Sequence, residues 1–208
     1  YPHMAGVGGD GFWLIGDDED VSAINASGPA GEAATRDYYA ELGDNEIPER
    51  GSGSALTVPG AVDGWRLAHE EHGQLPWKQL FEDAITHARE GFAMTEDLTR
   101  WIALDADVLG EQATAADTFL TEGSAPEPGT ILRQPALADS LETITEEGPR
   151  DGFYEGPVGE SFCDGLGEES PLSTTDLSQY HAEWVEPLST DYRGYKAHSF
   201  PPNTQGIA

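Results

Sequence analysis

Cysteine is nearly absent from this chain: Cys163 is the only one among 208 residues. An intrachain disulfide is therefore excluded, and cysteine usage leaves the compartment open. Positive charge is scarce too. Lysine and arginine total 10 against 39 aspartates and glutamates, a formal net charge of −29, and Lys78 and Lys196 are the only lysines. Such a surface would repel a polyphosphate backbone, which argues against nucleic acid as a partner. No apolar run approaches the roughly 20 residues that a membrane-spanning helix needs, so no membrane partner is expected. No signal peptide is visible at Tyr1, and the compartment stays unassigned, with the cytoplasm favoured over export.

The acidic residues are spread through well-patterned segments that also carry five tryptophans, so they do not mark a disordered tail. Molar salt offers a physical reason for them. There the Debye length is about 3 Å, self-repulsion is screened, and an acidic surface keeps a protein dissolved. A halophilic source is the expectation, and the charge then reports habitat rather than substrate.

Near the start, Gly6, Gly8 and Gly11 of "AGVGGDGFWLIGDD" fit the spacing G-x-G-x-x-G. That spacing holds a dinucleotide only when a strand precedes the glycines and a helix follows them. Here the apolar run Phe12–Ile15 leads into the acidic turn Asp17-Asp18-Glu19-Asp20, and Val21–Ala26 alternates like a second strand. The glycines open a hairpin, and the coenzyme reading falls.

Beyond the hairpin the pattern is mostly helical. Thr35–Leu42 predicts a short helix stopped by Gly43. Pro59 stands near the start of "AVDGWRLAHEEHG", with Val62, Trp65 and Ala68 facing inward. Pro76 opens "WKQLFEDAITHAREG" with an apolar stripe of Phe81, Ala84, Ile85 and Ala88, and Thr95 can cap "EDLTRWIALDADVLG". "TFLTEGSAPEPGTIL" reads as a loop with extended flanks. Pro135 opens a helix with Leu137, Leu141 and Ile144 in register and Gly148-Pro149 as its stop. "PVGESFCDGLG" predicts a weaker helix, Ser173–Asp176 a helix cap, and "AEWVEPLSTDYRGYKAHSF" two strands around a turn. The class is α+β with helix in excess, without repeat or linker, in a single domain spanning 1–208.

Several tempting motifs carry no site. His69 and His72 are spaced i, i+3, whereas the zinc-protease pattern needs i, i+4, so they read as two histidines on a wet helix face. The run Asp17–Asp20 lacks the spacing and glycine of a calcium loop. Cys163, beside Phe162, reads as a buried packing thiol. Thr174-Thr175 sit mid-chain at a helix cap, without the free α-amine that a threonine nucleophile uses as base. No metal and no cofactor is expected.

Seven segments then resemble a known family in its order and spacing: "GVGGDGFWLI", "ALTVPGAVDGW", "EDAITHAREGF", "LRQPALADSLETI", "GPRDGFYEGPVGESF", "TTDLSQYHAEWVEPLSTDYRGY" and "PPNTQGI". Together they are similar to the large-subunit region of the γ-glutamyltranspeptidase family, and the "NASG" form at 25–28 resembles its γ-glutamyltranspeptidase-like branch. The acidity adds a halophilic archaeon as the expected source.

This resemblance implies part of an N-terminal-nucleophile hydrolase, an αββα sandwich, incomplete here at both ends. The family's precursor cuts itself in two, and the new N-terminal Thr of the small subunit attacks a γ-glutamyl amide. Water or an amine then accepts the acyl group. No catalytic residue is expected within 1–208, and the segment alone is expected to be inactive. The implied partners are the small subunit from the same precursor and a small-molecule amide such as glutathione, with homo-oligomers of processed heterodimers within the expectation.

One departure bears on substrate. The family's arginine for the substrate's α-carboxylate aligns with Ser27, while Arg36 matches a separate family arginine that follows Ala-Thr. A serine cannot form the bidentate charged pair of an arginine, a loss of a few kcal/mol. Ser27 and Asn25 are the expected substrate-binding residues. Alternatives are an acylase of the cephalosporin-acylase kind acting on a different acyl amide, and a non-catalytic binding or scaffold homologue.

Overall fold

The computed structural model describes residues 6–17, 20–42 and 46–206. Tyr1, the Asp18-Glu19 part of the acidic turn, the expected stop at Gly43 and the last two residues of "PPNTQGIA" lie outside the described residues.

In chain order, strands β1 (Gly11–Gly16) and β2 (Val21–Ala26) precede helices α1 (Arg36–Glu41) and α2 (Ala61–His72). A 3-10 turn at Trp77–Phe81 leads into α3 (Glu82–Glu90), followed by β3 (Phe92–Ala93), α4 (Glu96–Leu104), α5 (Ala106–Gly110) and α6 (Ala113–Phe119). After β4 (Ile131–Leu132) and α7 (Pro135–Pro149), a π turn at Arg150–Tyr154 leads to α8 (Pro157–Leu166) and α9 (Thr174–Gln179). Strands β5 (Glu183–Val185), β6 (Leu188–Tyr192) and β7 (Tyr195–Ser199) close the series. The class is α+β with helix in excess. Among the described residues no helix is long and apolar enough to cross a membrane.

The chain forms two compact units: Val7–Gln74 with Glu147 onward, and Leu75–Glu146. In the first, β1 and β2 form the expected hairpin, Gly11 opposite Ala26 and Gly16 opposite Val21, and β5 pairs antiparallel on the far side of β2. A strand therefore follows the opening glycines, which rules out a coenzyme loop. Gly11 is required for a different reason. A Cβ there would lie 2.2 Å from the Trp13 ring, and one at Gly64 on α2 would lie 2.3 Å from the same ring. Trp13 is thus wedged between two positions without side chains, and this lets the sheet approach α2 closely.

That approach also corrects the expected inner face of α2. Its buried residues are Ala61, Val62, Asp63 and Gly64, whereas Trp65 and Ala68 are only half-buried. Contact is closest at the first turn, and the helix opens to solvent toward His72. Against the Arg150–Tyr154 turn pack α8 and α9, burying Phe153, Tyr154 and Leu177. Ser173 and Asp176 form a reciprocal capping box at α9. Gly148, at φ 88°, interrupts α7 at the expected stop. Cys163 is half-buried rather than buried, and burial pushes its thiol pKa up, with Asp164 and Asp176 adding to the shift. The C-terminal region has three strands, not two. Pro187 separates β5, which joins β2, from the β6–β7 hairpin, whose two-residue turn has Arg193 and Gly194 at φ 51° and 85°.

In the second unit, Thr95 caps α4 through its Oγ1, which accepts from the Leu98 backbone N–H at 3.2 Å. The expected single helix after Thr95 breaks at Asp105 (φ −105°, ψ 13°), and α6 arises where no helix was expected, taking in Thr118 and Phe119, which had read as an extended flank. Met94, Leu98, Ile102 and Leu132 form the core here, with Phe92, Leu109 and Phe119 packed around it. In the stripes of α3 and α7, Ala88, Leu141 and Ile144 are buried, Ile85 and Leu137 are half-buried, and Ala84 is exposed. Ala84 stands off the line from Phe81 to Ala88 that faces the unit's interior.

Candidate functional site

The two expected substrate-binding residues meet at the end of β2. The Asn25 Oδ1 accepts from the Ser27 backbone N–H at 3.1 Å and from the Ser27 hydroxyl at 2.9 Å. A third residue, Asn203, completes the cluster from 176 positions further along: its Nδ2 donates to the Ser27 Oγ at 2.6 Å. Ser27 and Asn25 are half-buried and Asn203 is exposed, so the cluster can be reached from solvent.

Asn203 arrives there through the β6–β7 hairpin. Phe200, just after β7, is buried and packs edge-on against Phe12 of β1, ring centroids 5.1 Å apart. Phe12 and Asn25 are register partners across the hairpin, so this aromatic contact sets the 200–203 segment beside the end of β2. On the other side the Asp10 carboxylate accepts from the Gly28 backbone N–H at 3.4 Å.

Behind the cluster lies a buried polar hub. Asp63, fully buried, accepts from Arg66 Nε at 2.6 Å and from the Ala182 backbone N–H at 2.7 Å. The Tyr154 hydroxyl donates to the Pro59 carbonyl at 2.7 Å and accepts from the Asp63 backbone N–H at 3.1 Å. Burial pushes the Tyr154 pKa well up, so the hydroxyl keeps its proton for Pro59. These bonds fix the Pro59–Gly60 segment, and a Cβ at Gly60 would lie 2.1 Å from the Ala26 carbonyl. The hub therefore supports the residue immediately before Ser27. Arg150 braces it by donating to the Tyr180 and Ser178 carbonyls at 2.6 Å each.

Sequence reasoning named Ser27 and Asn25 as expected substrate-binding residues; the fold sets Asn203 and Asp10 beside them and Asp63 behind, none of which was named. Asp63 had a visible signal: an acid three residues before Arg66 in an otherwise apolar helix start. Asn203 lies in the quoted segment "PPNTQGI", but nothing local pairs it with Ser27, since its partner is remote and only the fold joins them. The decoys fall elsewhere. His69 and His72 occupy the last turn of α2, where His72 stands edge-on to Trp184. A cleft of about 640 Å³ lies there, lined by Asp17, Asp20, Glu71, His72, Trp184 and Glu186. It is at the opposite end of the β1–β2 hairpin from Ser27.

Known proteins share this fold. The family model for γ-glutamyltranspeptidase matches residues 1–208. A glutathione hydrolase-like YwrD proenzyme of Bacillus subtilis is 41% identical over 210 residues, which cover 100% of this chain and 39% of that protein. An oxamate amidohydrolase proenzyme of Klebsiella pneumoniae is 40% identical, covering 100% of this chain and 40% of its own length. This chain thus spans about two fifths of these relatives. Among solved structures, the Helicobacter pylori γ-glutamyltranspeptidase superposes with a TM-score of 0.88 at 26% identity, over 99% of this chain and 60% of the other. Cephalosporin acylase from Bacillus halodurans gives 0.85 at 32% identity, over 95% and 38%. These neighbours place the α+β architecture among the N-terminal-nucleophile hydrolases. With a matching family model along its whole length, the chain belongs to the γ-glutamyltranspeptidase family.

Proposed function

We propose that residues 1–208 form the large-subunit region, as one domain, of a γ-glutamyltranspeptidase-like proenzyme that cleaves an acyl amide. The observation that carries this reading is the match along the whole of this chain to about two fifths of two proenzymes, one named glutathione hydrolase-like and the other oxamate amidohydrolase. The nucleophile belongs to the small subunit, outside this chain. Its N-terminal Thr hydroxyl adds to the amide carbonyl while the α-amine takes the proton and passes it to the departing amine. Water or an amine then releases the acyl group from the ester.

The sheet supports a partner subunit. Among the described residues β1 stands at the edge of its sheet, and the Phe12 and Leu14 side chains on one of its faces are 42% and 44% exposed. An exposed edge with apolar side chains beside it calls for covering. The residues proposed to touch substrate are Ser27 and Asn25. The γ-glutamyl group is the first candidate for the acyl moiety. The uncharged cluster around Ser27 favours as second reading an acyl amide of the type handled by cephalosporin acylase.

The test uses the complete protein, expressed in molar KCl because of the charge of −29. Mass spectrometry follows its maturation into two chains, and release of aniline from a γ-glutamyl-anilide follows its activity. Maturation with turnover supports the enzyme. A protein that neither matures nor cleaves any amide would show a binding or scaffold homologue instead.

A further inference from the structure

We propose that Ser27, Asn25 and Asn203 form a recognition site for an uncharged polar head on the acyl group, a carboxamide in particular, and that Asn203 is its specificity-determining residue. The inference rests on the reading above that the end of β2 faces the acyl moiety, and it names the chemical class which that end accepts.

Hydrogen-bond bookkeeping comes first. The Ser27 hydroxyl proton is committed to the Asn25 Oδ1, and its oxygen already accepts from the Asn203 Nδ2. Ser27 is therefore a link between two amides rather than a free hydroxyl. Each asparagine then retains one group with no hydrogen bond among the described residues: the Asn25 Nδ2, a donor, and the Asn203 Oδ1, an acceptor. A carboxamide offers the complementary pair, C=O toward the Asn25 Nδ2 and N–H toward the Asn203 Oδ1. A carboxylate offers acceptors only, so it would leave the Asn203 Oδ1 facing a second acceptor.

Charge points the same way. The bonds that hold the cluster join amide and hydroxyl groups alone. Asp10 is anchored one residue beyond Ser27, on the Gly28 N–H, and Glu183 is the register partner of Asn25 on β5. Both flanking side chains are carboxylates. An anionic head would lose its hydration and meet two negative neighbours, whereas a neutral head has no such opposition.

Recognition also depends on the long-range closure. The segment carrying Asn203 is held by Phe200 packing on Phe12, so Asn203 is placed by the fold and not by an adjacent turn. Removing its amide would free the Ser27 oxygen and delete the acceptor for the carboxamide N–H. A site built to hydrogen-bond a group discriminates against the analogue that lacks it.

Two anilides decide the question, a γ-glutamyl-anilide with a free α-carboxylate and its α-carboxamide twin, each given to the mature complete protein. The twin is expected to show kcat/KM at least about tenfold higher. Asn203→Ala is expected to lower that preference about tenfold, through a larger loss on the twin than on the carboxylate, with an unchanged melting temperature showing that the fold is intact. Ser27→Arg, which adds a guanidinium, is expected to shift the preference toward the carboxylate. A wild-type protein that prefers the carboxylate overturns the inference and leaves the amidohydrolase reading standing. An Asn203→Ala protein whose loss is equal on both twins overturns it too, as does a mature protein that cleaves other acyl anilides and neither twin. Absence of maturation and of all cleavage overturns both readings.

Discussion

Tyr154, 2% exposed, donates through its hydroxyl to the Pro59 carbonyl 95 residues earlier in the chain, at 2.7 Å, and accepts from the Asp63 backbone N–H. One phenol thereby satisfies two backbone groups at the start of α2. Tyr154→Phe is expected to leave both without a partner. Each buried orphan costs about 1–3 kcal/mol, so a loss of at least about 2 kcal/mol is expected. A urea melt of the complete protein reads it, and a change below about 0.5 kcal/mol would show that water replaces the hydroxyl.

Its neighbour Tyr180 predicts the opposite. The rings are 5.6 Å apart, yet the Tyr180 hydroxyl is buried and makes no hydrogen bond among the described residues. Burial and the nearby carboxylates of Asp63, Asp10 and Glu183 push its pKa up, so it stays protonated. Tyr180→Phe removes an unsatisfied polar atom and leaves no partner behind. The same urea melt should show no loss, or a gain of up to about 1 kcal/mol.

Much of this was legible beforehand. The β1–β2 hairpin showed as an apolar run, an acidic turn and an alternating run; the caps at Thr95 and Ser173 showed as side chains before helical periods. The misses share a cause. β5 is three residues long and owes its existence to β2, far away in sequence. The inner face of α2 was misjudged because the approach of Trp13 to Gly64 depends on two elements, and a one-helix period describes only one. At the candidate site Ser27 and Asn25 were named from the family resemblance, and their mutual hydrogen bonds span only two residues. Asn203 was not, since the contact of Phe200 with Phe12 that places it leaves no local pattern.

Trp13 gives a coupled prediction. Gly64→Ala would put a Cβ 2.3 Å from the ring and 2.6 Å from the Ala26 Cβ, and overpacking of this kind costs about 1–3 kcal/mol. Trp13→Leu alone is expected to destabilise by leaving a cavity. The double variant should lose less than the sum of the two, by at least about 1 kcal/mol, because the smaller side chain makes room for the new methyl. Additive losses in thermal melts would mean that the clash lies with the Ala26 Cβ and not with Trp13.

Acid sensitivity follows from Asp176. Burial pushes its carboxyl pKa up, but the Ser173 hydroxyl and the backbone N–H groups of Glu32 and Ser173 outweigh that, and the net shift is downward. The folded value lies below the unfolded one, which is near 3.8. Its stabilising contribution is therefore complete above the unfolded value and is lost as pH falls through the folded one. As pH falls through about 3.8 and below, the wild-type melting temperature should fall more steeply than that of Asp176→Asn, which cannot ionise. At pH 7 the variant should be the less stable protein, by the roughly 0.5–2 kcal/mol of a lost cap. Convergence of the two curves at acid pH would identify the carboxylate as the group that ties α9 to the Glu32 loop. Parallel curves would place the acid-sensitive step elsewhere.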